Sequence, residues 1–430
     1  MRRAFMALIV MSLLCTCLLS ADWPQFMGPS RDNISPETGL LKTWDGKPAE
    51  VWGLDVGTGF GPAAIEAGKV YVLDRVGDKS ENKMDVLRCI DLKTGKEDWK
   101  FEYAAPGEVP YPGSRSTPTV DKDYIFIAGP MGDFKCIDKK EHKEVWSKNI
   151  RSDFGGKTPA QKDPQWALSQ SPLLYKDTVI AAPQSKQAGV VAFDKKSGEV
   201  KWKSEPIGSI AYCSPVLVKI GDVDQVVMMT FTAESKDTKY AGVYGLNAAD
   251  GKLLWSYKGY TCSIPVPSPH PVGDGRLFLT GGYGAGSAMI KVELKDGKYE
   301  ATEQWRVKEV GSHVQNPVLY KDHLYINSDN TNMGLVCLGL DGKVKWATKQ
   351  AANFDKGNLI LADGLIYIMN GSNGTLHLVE ASSEAYKELD KAKVLEGKGK
   401  EVWAPMSLSD GKLIVRDKTR MKCIQVGKAE

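Results

Sequence analysis

Cys89-Ile90-Asp91-Leu92-Lys93-Thr94-Gly95-Lys96-Glu97-Asp98-Trp99 is the stretch that decides the fold of this chain. It joins a strand with a small residue, an Asp turn containing Gly, a few charges and a tryptophan. The phrase returns as Cys136-Ile137-Asp138 running to Trp146, and as Ala192-Phe193-Asp194-Lys195-Lys196-Ser197-Gly198 to Trp202. It recurs as Gly245-Leu246-Asn247 to Trp255 and as Cys337-Leu338 through Asp341-Gly342 to Trp346, and a weaker copy ends at Trp305. A period of roughly 40–55 residues built from short strands marks a radial or stacked repeat array. Function in such an array lies in whatever breaks the repeat.

Each unit carries four strand signals. The first follows a Ser-Pro-like opening: Ser116-Thr117-Pro118, Ser171-Pro172, Ser214-Pro215, Ser268-Pro269 and Asn316-Pro317. A tight turn follows, then an apolar strand such as Ile125-Phe126-Ile127 or Ile366-Tyr367-Ile368. The third strand holds the small residue and the fourth the Trp. Four short antiparallel strands per unit make the blade of a β-propeller. A seventh unit runs from Gly357 to about Gly397, with Leu395 in the Trp slot. An eighth opens at Trp403-Ala404-Pro405 and stops after Met421-Lys422-Cys423-Ile424. Its missing strand is supplied by Glu50-Val51-Trp52, which repeats Glu144-Val145-Trp146. The expectation is an all-β, eight-bladed propeller of four-stranded antiparallel blades, closed by an N-terminal strand in the last blade. Closure pairs two edges that would otherwise be exposed. Trp52, Trp99, Trp146, Trp202, Trp255, Trp305 and Trp346 are assigned to packing between blades. A buried Trp hides about 150–250 Å².

These residues resemble the bacterial PQQ-repeat (quinoprotein-like) β-propellers over nearly all of residues 50–426. The opening Trp23-Pro24-Gln25-Phe26-Met27-Gly28-Pro29-Ser30-Arg31-Asp32 is similar to the lead-in of exported members. The superfamily implies either of two functions. One group comprises quinoprotein dehydrogenases, which bind pyrroloquinoline quinone and calcium on the ring axis. The other includes BamB-like lipoproteins of outer-membrane assembly, which bind proteins. The layout is closest to the BamB-like exported members. The chain lacks the adjacent cysteines common in the dehydrogenases, and no motif assigns calcium ligands or an Asp base residue by residue.

Composition narrows the partners. The 430 residues are 42% hydrophobic and 25% charged with a net charge of +3, of which Arg2 and Arg3 supply two. A nearly neutral remainder argues against nucleic acid or an anionic membrane as the main partner. Residues 1–21 read as a signal peptide, with Arg2 and Arg3 before the apolar run Ala7 to Leu19 and a cleavage end at Ser20-Ala21. That run is short for a membrane span. A buried N-terminal helix and a lipoprotein signal at Cys15 or Cys17 are the alternatives, the second disfavoured by Leu14 and Thr16. The division is 1–21 signal peptide, 22–49 lead-in segment, 50–426 propeller and 427–430 tail.

Cys89, Cys136, Cys337 and Cys423 fill one slot in different repeats, too far apart for bridges. They read as small buried residues; Cys213 and Cys262 lie near repeat openings. Residues before each Ser-Pro-like opening should ring the mouth of the central channel: Arg115, Gln170, Tyr212, His313, Gln315 and Asn316. Arg115 suits a carboxylate; the competing reading is a solvated rim of inter-blade hydrogen bonds. Most long loops fall on that same face, including Arg151–Ser169 with Lys157, Lys162 and Trp166. Trp166 either caps the local core or anchors a partner. His270 and His313 also lie near blade openings, and five histidines without ligand spacing point to no metal. Gly281-Gly282-Tyr283-Gly284-Ala285-Gly286 reads as a hairpin loop between strands. The combined expectation is a periplasmic or secreted monomer, a non-catalytic scaffold for envelope proteins with no cofactor. A pyrroloquinoline quinone and calcium-dependent alcohol dehydrogenase is the alternative, and a glycan- or polymer-binding propeller is the second.

Overall fold

The computed structural model describes residues 21–230, 241–329, 332–397, 399 and 401–428, so the predicted signal peptide, apart from Ala21, lies outside the described residues. The chain forms eight sheets of four antiparallel strands, one with an added fifth strand, arranged as the blades of a ring. Blade 1 takes Ala64–Glu66, Lys69–Val76, Met84–Asp91 and Glu97–Ala104. Blades 2 to 6 follow in chain order, and blade 7 runs from Leu359–Ala362 to Glu388–Lys393. Blade 8 has Ser407–Ser409, Lys412–Arg416, Arg420–Gln425 and, outermost, Glu50–Asp55. The predicted closure is therefore present, with Trp52 opposite Cys423. The other blades repeat that pairing: Trp99 faces Cys89, Trp146 faces Cys136 and Trp346 faces Cys337, each beside a bulge.

The repeated phrase works as a socket for the neighbouring blade. Asp91 accepts the N–H groups of Lys93 and Thr94, and its carbonyl accepts that of Gly95. Gly95 thereby takes a φ of +72°, which favours glycine. Trp52 of blade 8 lies on that turn: a Cβ on Gly95 would stand 2.5 Å from its Cγ. The Trp52 indole N–H donates to the Leu92 carbonyl at 2.8 Å. Trp146 docks the same way on Gly198 and Lys195, and Trp305 on Gly342 and Leu340. In blade 2 His142 replaces the glycine, at φ +55°, and its ring stacks on Trp99 at 4.3 Å. Trp255 departs from this pattern. Its N–H donates to Gln225 of its own blade at 2.7 Å, because the next turn, at Gly297, caps strands of ten residues and lies beyond its reach.

Blade 7 corrects one expectation. Its fourth strand ends at Lys393, and the residue opposite the third-strand slot Leu378 is Asp390, not Leu395. Leu395 follows the strand and bonds to Gly374. The missing indole is supplied from the lead-in. Asp390 accepts the backbone N–H of Trp44 at 2.6 Å and the Thr43 hydroxyl at 3.0 Å. Trp44 is buried and stacks on Tyr367.

The Ser-Pro-like openings form a second girdle around the axis. Thr117 N–H donates to Ser171 Oγ, Ser171 N–H to Ser214 Oγ, Ser214 N–H to Ser268 Oγ and Ser268 N–H to Asn316 Oδ1. Each side chain thus satisfies a buried amide of the preceding blade. Proline follows because its missing N–H leaves nothing to satisfy.

Residues 22–44 cross this girdle. Trp23 pairs with Ile65 of blade 1, and Pro24 accepts from Val120 of blade 2. Arg31 donates to the carbonyls of Pro172 and Pro215 in blades 3 and 4. Ile34–Ser35 adds a parallel strand to the inner edge of blade 7, and Glu37 accepts from Asp410 and Gly411 of blade 8. The lead-in is thus an axial strap, a role its sequence did not reveal.

Replacing Trp52 by alanine should remove about 3–5 kcal/mol of stability. Val51→Ala, on the exposed side of the same strand, should stay within about 0.5 kcal/mol. Urea midpoints of the two variants check this; equal midpoints would mean that the closure does not depend on the indole.

Candidate functional site

The second-to-third strand turns and the blade-to-blade links share one face of the ring. At its axis they surround a cavity of about 340 Å³. Among the described residues seven aromatic side chains line it: Phe26, Phe60, Tyr111, Trp166, Tyr212, Tyr283 and Trp403. Arg115, His313, Gln315 and Lys356 also line it, and among the described residues no Asp or Glu does so. A larger groove of about 560 Å³ runs between the outer strands of blades 3 and 4, and Tyr244 is its one aromatic among the described residues.

Local structure fixes each ring. Phe60 is set by its own N–H and that of Gly61, both donated to the Ser114 carbonyl. Trp403 is held at three points: its indole N–H donates to Asp355 at 3.0 Å, its carbonyl accepts from Gln315 at 2.9 Å, and it stacks on Phe60 at 5.9 Å. Tyr111 sits 5.8 Å from the same indole. Trp166 is presented by a link tied down at Arg151, whose guanidinium bonds to Lys157, Pro183, Gln184 and Asp163. The following Ala167 and Leu168 are buried, and Tyr212 meets the Trp166 ring edge-on at 6.2 Å. Phe26 arrives with the strap.

Arg115 and Arg31 have no acidic partner among the described residues. Arg115 donates to the carbonyls of Gly113, Pro110 and Tyr111 in its own loop. Burial pushes it down to about 10, as it does Arg31, whose guanidinium lies 5.8 Å from the Phe26 ring. Lys356 Nζ stands 5.0 Å over Trp403 and 3.7 Å from Asp355. His313 gives Nδ1 to Asp329 at 2.7 Å, which also accepts its backbone N–H.

Of the residues predicted to ring the channel, Arg115, Tyr212, His313 and Gln315 line this cavity. Gln170 and Asn316 do not. Gln170 is buried against Gln184 and Ala211, and Asn316 belongs to the girdle. Trp166 lies in the cavity wall. Sequence reasoning missed Phe26, Phe60, Tyr111, Lys356 and Trp403. Trp403 was recoverable, since Trp403-Ala404-Pro405 puts it just before a blade opening, where Arg115 stands in blade 2. Phe26 was not, because nothing in the repeat places the strap on the axis. All six described cysteines are free and buried, and burial pushes their thiols up, Cys213 to about 12. Among the described residues no group of three His, Cys, Asp or Glu side chains is placed to hold a metal, and no helix is long and apolar enough to cross a membrane.

Eight blades, tryptophans docked on the turns of the next blade and an axial aromatic mouth define a propeller of the PQQ-repeat superfamily. Residues 83–348 match the family described as outer membrane protein assembly factor BamB, and the chain belongs to that family. It is 25% identical over 266 residues to outer membrane protein assembly factor BamB of Moranella endobia (strain PCIT), covering 60% of this chain and 62% of that protein. It is also 25% identical over 182 residues to the dehydrogenase subunit of a quinone alcohol dehydrogenase of Komagataeibacter europaeus, covering 40% and 24%. The chain thus spans less than two thirds of either relative. Among solved structures, a europium-containing methanol dehydrogenase superposes with a TM-score of 0.66 at 12% identity. That alignment covers 92% of this chain and 89% of the other, a likeness of fold.

His270, the other histidine near a blade opening, is 1% exposed, and burial pushes it down to about 4. The unfolded chain takes up a proton near pH 6.5 that the folded chain refuses until about 4. Its contribution to stability should therefore fall as pH drops through that window, by at most about 1.4 kcal/mol per unit. Urea unfolding of wild type and His270→Gln between pH 7 and 4 checks this: the gap between them should shrink towards low pH, and a constant gap would exclude it.

Proposed function

We propose that this chain is a non-catalytic propeller of the cell envelope that holds a partner protein at its axial aromatic mouth. The observation that carries the reading is the lining itself: among the described residues, seven aromatic rings with arginine and lysine and no carboxylate. Trp, Tyr and Arg are the side chains that anchor protein interfaces. They stand here on links braced by hydrogen bonds, so little ordering is required on binding. Membership of a family described as an outer membrane assembly factor supports the envelope setting, as does the signal-like leader.

The similarity to a quinone alcohol dehydrogenase is the specific ground for a second reading. Flat aromatic walls and cations suit a planar quinone bearing carboxylates. Its calcium is a different matter, since that ion takes about six to eight oxygen ligands. Among the described residues the lining offers no Asp, Glu or Asn, and the Gln315 carbonyl oxygen accepts from Asn358. Asp355 and Asp329 are turned to Trp403 and His313. The described lining residues thus suit the quinone but do not supply the oxygen ligands of its calcium, and this favours the binding reading.

Tyr283 is 59% exposed at the cavity edge and suits a photo-crosslinking residue. Full-length chain with p-benzoylphenylalanine at that position, irradiated in intact envelopes, should give discrete protein adducts. Trp403→Ala, with an unchanged circular dichroism spectrum, should lose them. Absence of protein adducts, or dye-linked alcohol oxidation on adding pyrroloquinoline quinone and calcium, would reject the proposal.

A further inference from the structure

We infer that the axial cavity receives an aromatic side chain with a carboxylate beside it, carried on an extended stretch of the partner protein; the inference rests on the partner-binding reading above. The ring arrangement is the first ground. Phe60, Tyr111 and Trp403 form one group of mutually stacked and tilted rings, and Trp166 meets Tyr212 edge-on. Such surfaces favour a further ring in offset or edge contact over an aliphatic side chain of equal area.

Charge is the second ground. Arg115 answers main-chain carbonyls of its own loop and makes no ion pair among the described residues. Its remaining N–H groups have no acceptor there. Arg31, beneath Phe26, likewise bonds to carbonyl oxygens and to Gln25, and its Nε has no partner. Lys356 adds a third positive group, above Trp403 and against Asp355. A neutral aromatic ligand would leave Arg115 in the cavity wall, with the buried Arg31 behind Phe26, without a counter-charge, whereas a carboxylate supplies one to Arg115. A guanidinium already fixed and partly dehydrated binds a carboxylate with little reorganisation.

Size is the third. A cavity of about 340 Å³ is too small for a helix, whose diameter with side chains is about 10–12 Å. It admits one large side chain and its neighbours, which calls for an extended segment.

The test uses full-length chain and three blocked peptides, acetyl-Asp-Phe-Asp-amide, acetyl-Asp-Leu-Asp-amide and acetyl-Lys-Phe-Lys-amide. Affinities are read from intrinsic tryptophan fluorescence. The first should bind at least about tenfold tighter than either of the others, since both the ring and the charge contribute. Arg115→Met and Lys356→Met should each reduce its advantage over the lysine peptide while keeping its advantage over the leucine peptide. Two variants are used because the Arg115 loop bonds to its own side chain. Phenylacetate carries the same chemistry without a main chain. Its binding as tightly as the acidic aromatic peptide would overturn the peptide assignment in favour of a small metabolite. Equal affinities for the three peptides, or none up to millimolar concentration, would overturn the inference outright. If envelope adducts form at position 283 while the peptides fail to discriminate, partner binding stands and only the ligand chemistry is rejected.

Discussion

The ring depends on one contact, the indole of one blade lying flat on the turn of the next. It needs a backbone surface without a side chain and a free carbonyl within reach of the indole N–H. An Asp that gathers the turn amides and a residue at positive φ provide both, as Asp91 and Gly95 do for Trp52. The same contact made between blade 8 and blade 1 is what makes the array a ring and not an open stack. Where the geometry fails, a substitute appears: Gln225 for Trp255, His142 for a glycine, and Trp44 held by Asp390 where blade 7 has no tryptophan.

Because that contact is local and repeated, the fold was readable from the sequence. The phrase ending in Trp99 names the strand, the turn and the docking residue together, and Glu50-Val51-Trp52 could be matched to Glu144-Val145-Trp146 by eye. The slot in blade 7 was misread for a related reason. The connection between its third and fourth strands spans residues 381–387, longer than the turns elsewhere, and Asp390 offers no aromatic signal. The strap was illegible because its contacts are non-periodic. Arg31 meets Pro172 and Pro215, more than a hundred residues away, through main-chain carbonyls that carry no residue identity.

The site follows the same division. Arg115, Tyr212, His313 and Gln315 were found by counting back from the blade openings, which is a rule of the repeat. Gln170 and Asn316 obey the same rule yet turn inward, Gln170 to bond Gln184 and Ala211 and Asn316 to complete the girdle. Phe26, Phe60 and Tyr111 come from the strap and from links of unequal length, which no period describes. The cavity is thus a regular rim finished by irregular pieces, and its excess of positive charge arises where the two meet.

The outermost strand of blade 8 pairs Glu50–Asp55 with Arg420–Gln425, and the Lys422–Glu50 ion pair spans 372 positions of the chain. Such a loop is slow to close, since most of its entropy is lost before any contact rewards it. Glu50–Asp55 has no strand to pair with until Arg420–Gln425 has been made. A chain emerging from a ribosome therefore carries an unmatched early edge through almost its whole length, and the ring closes only when the last blade is out.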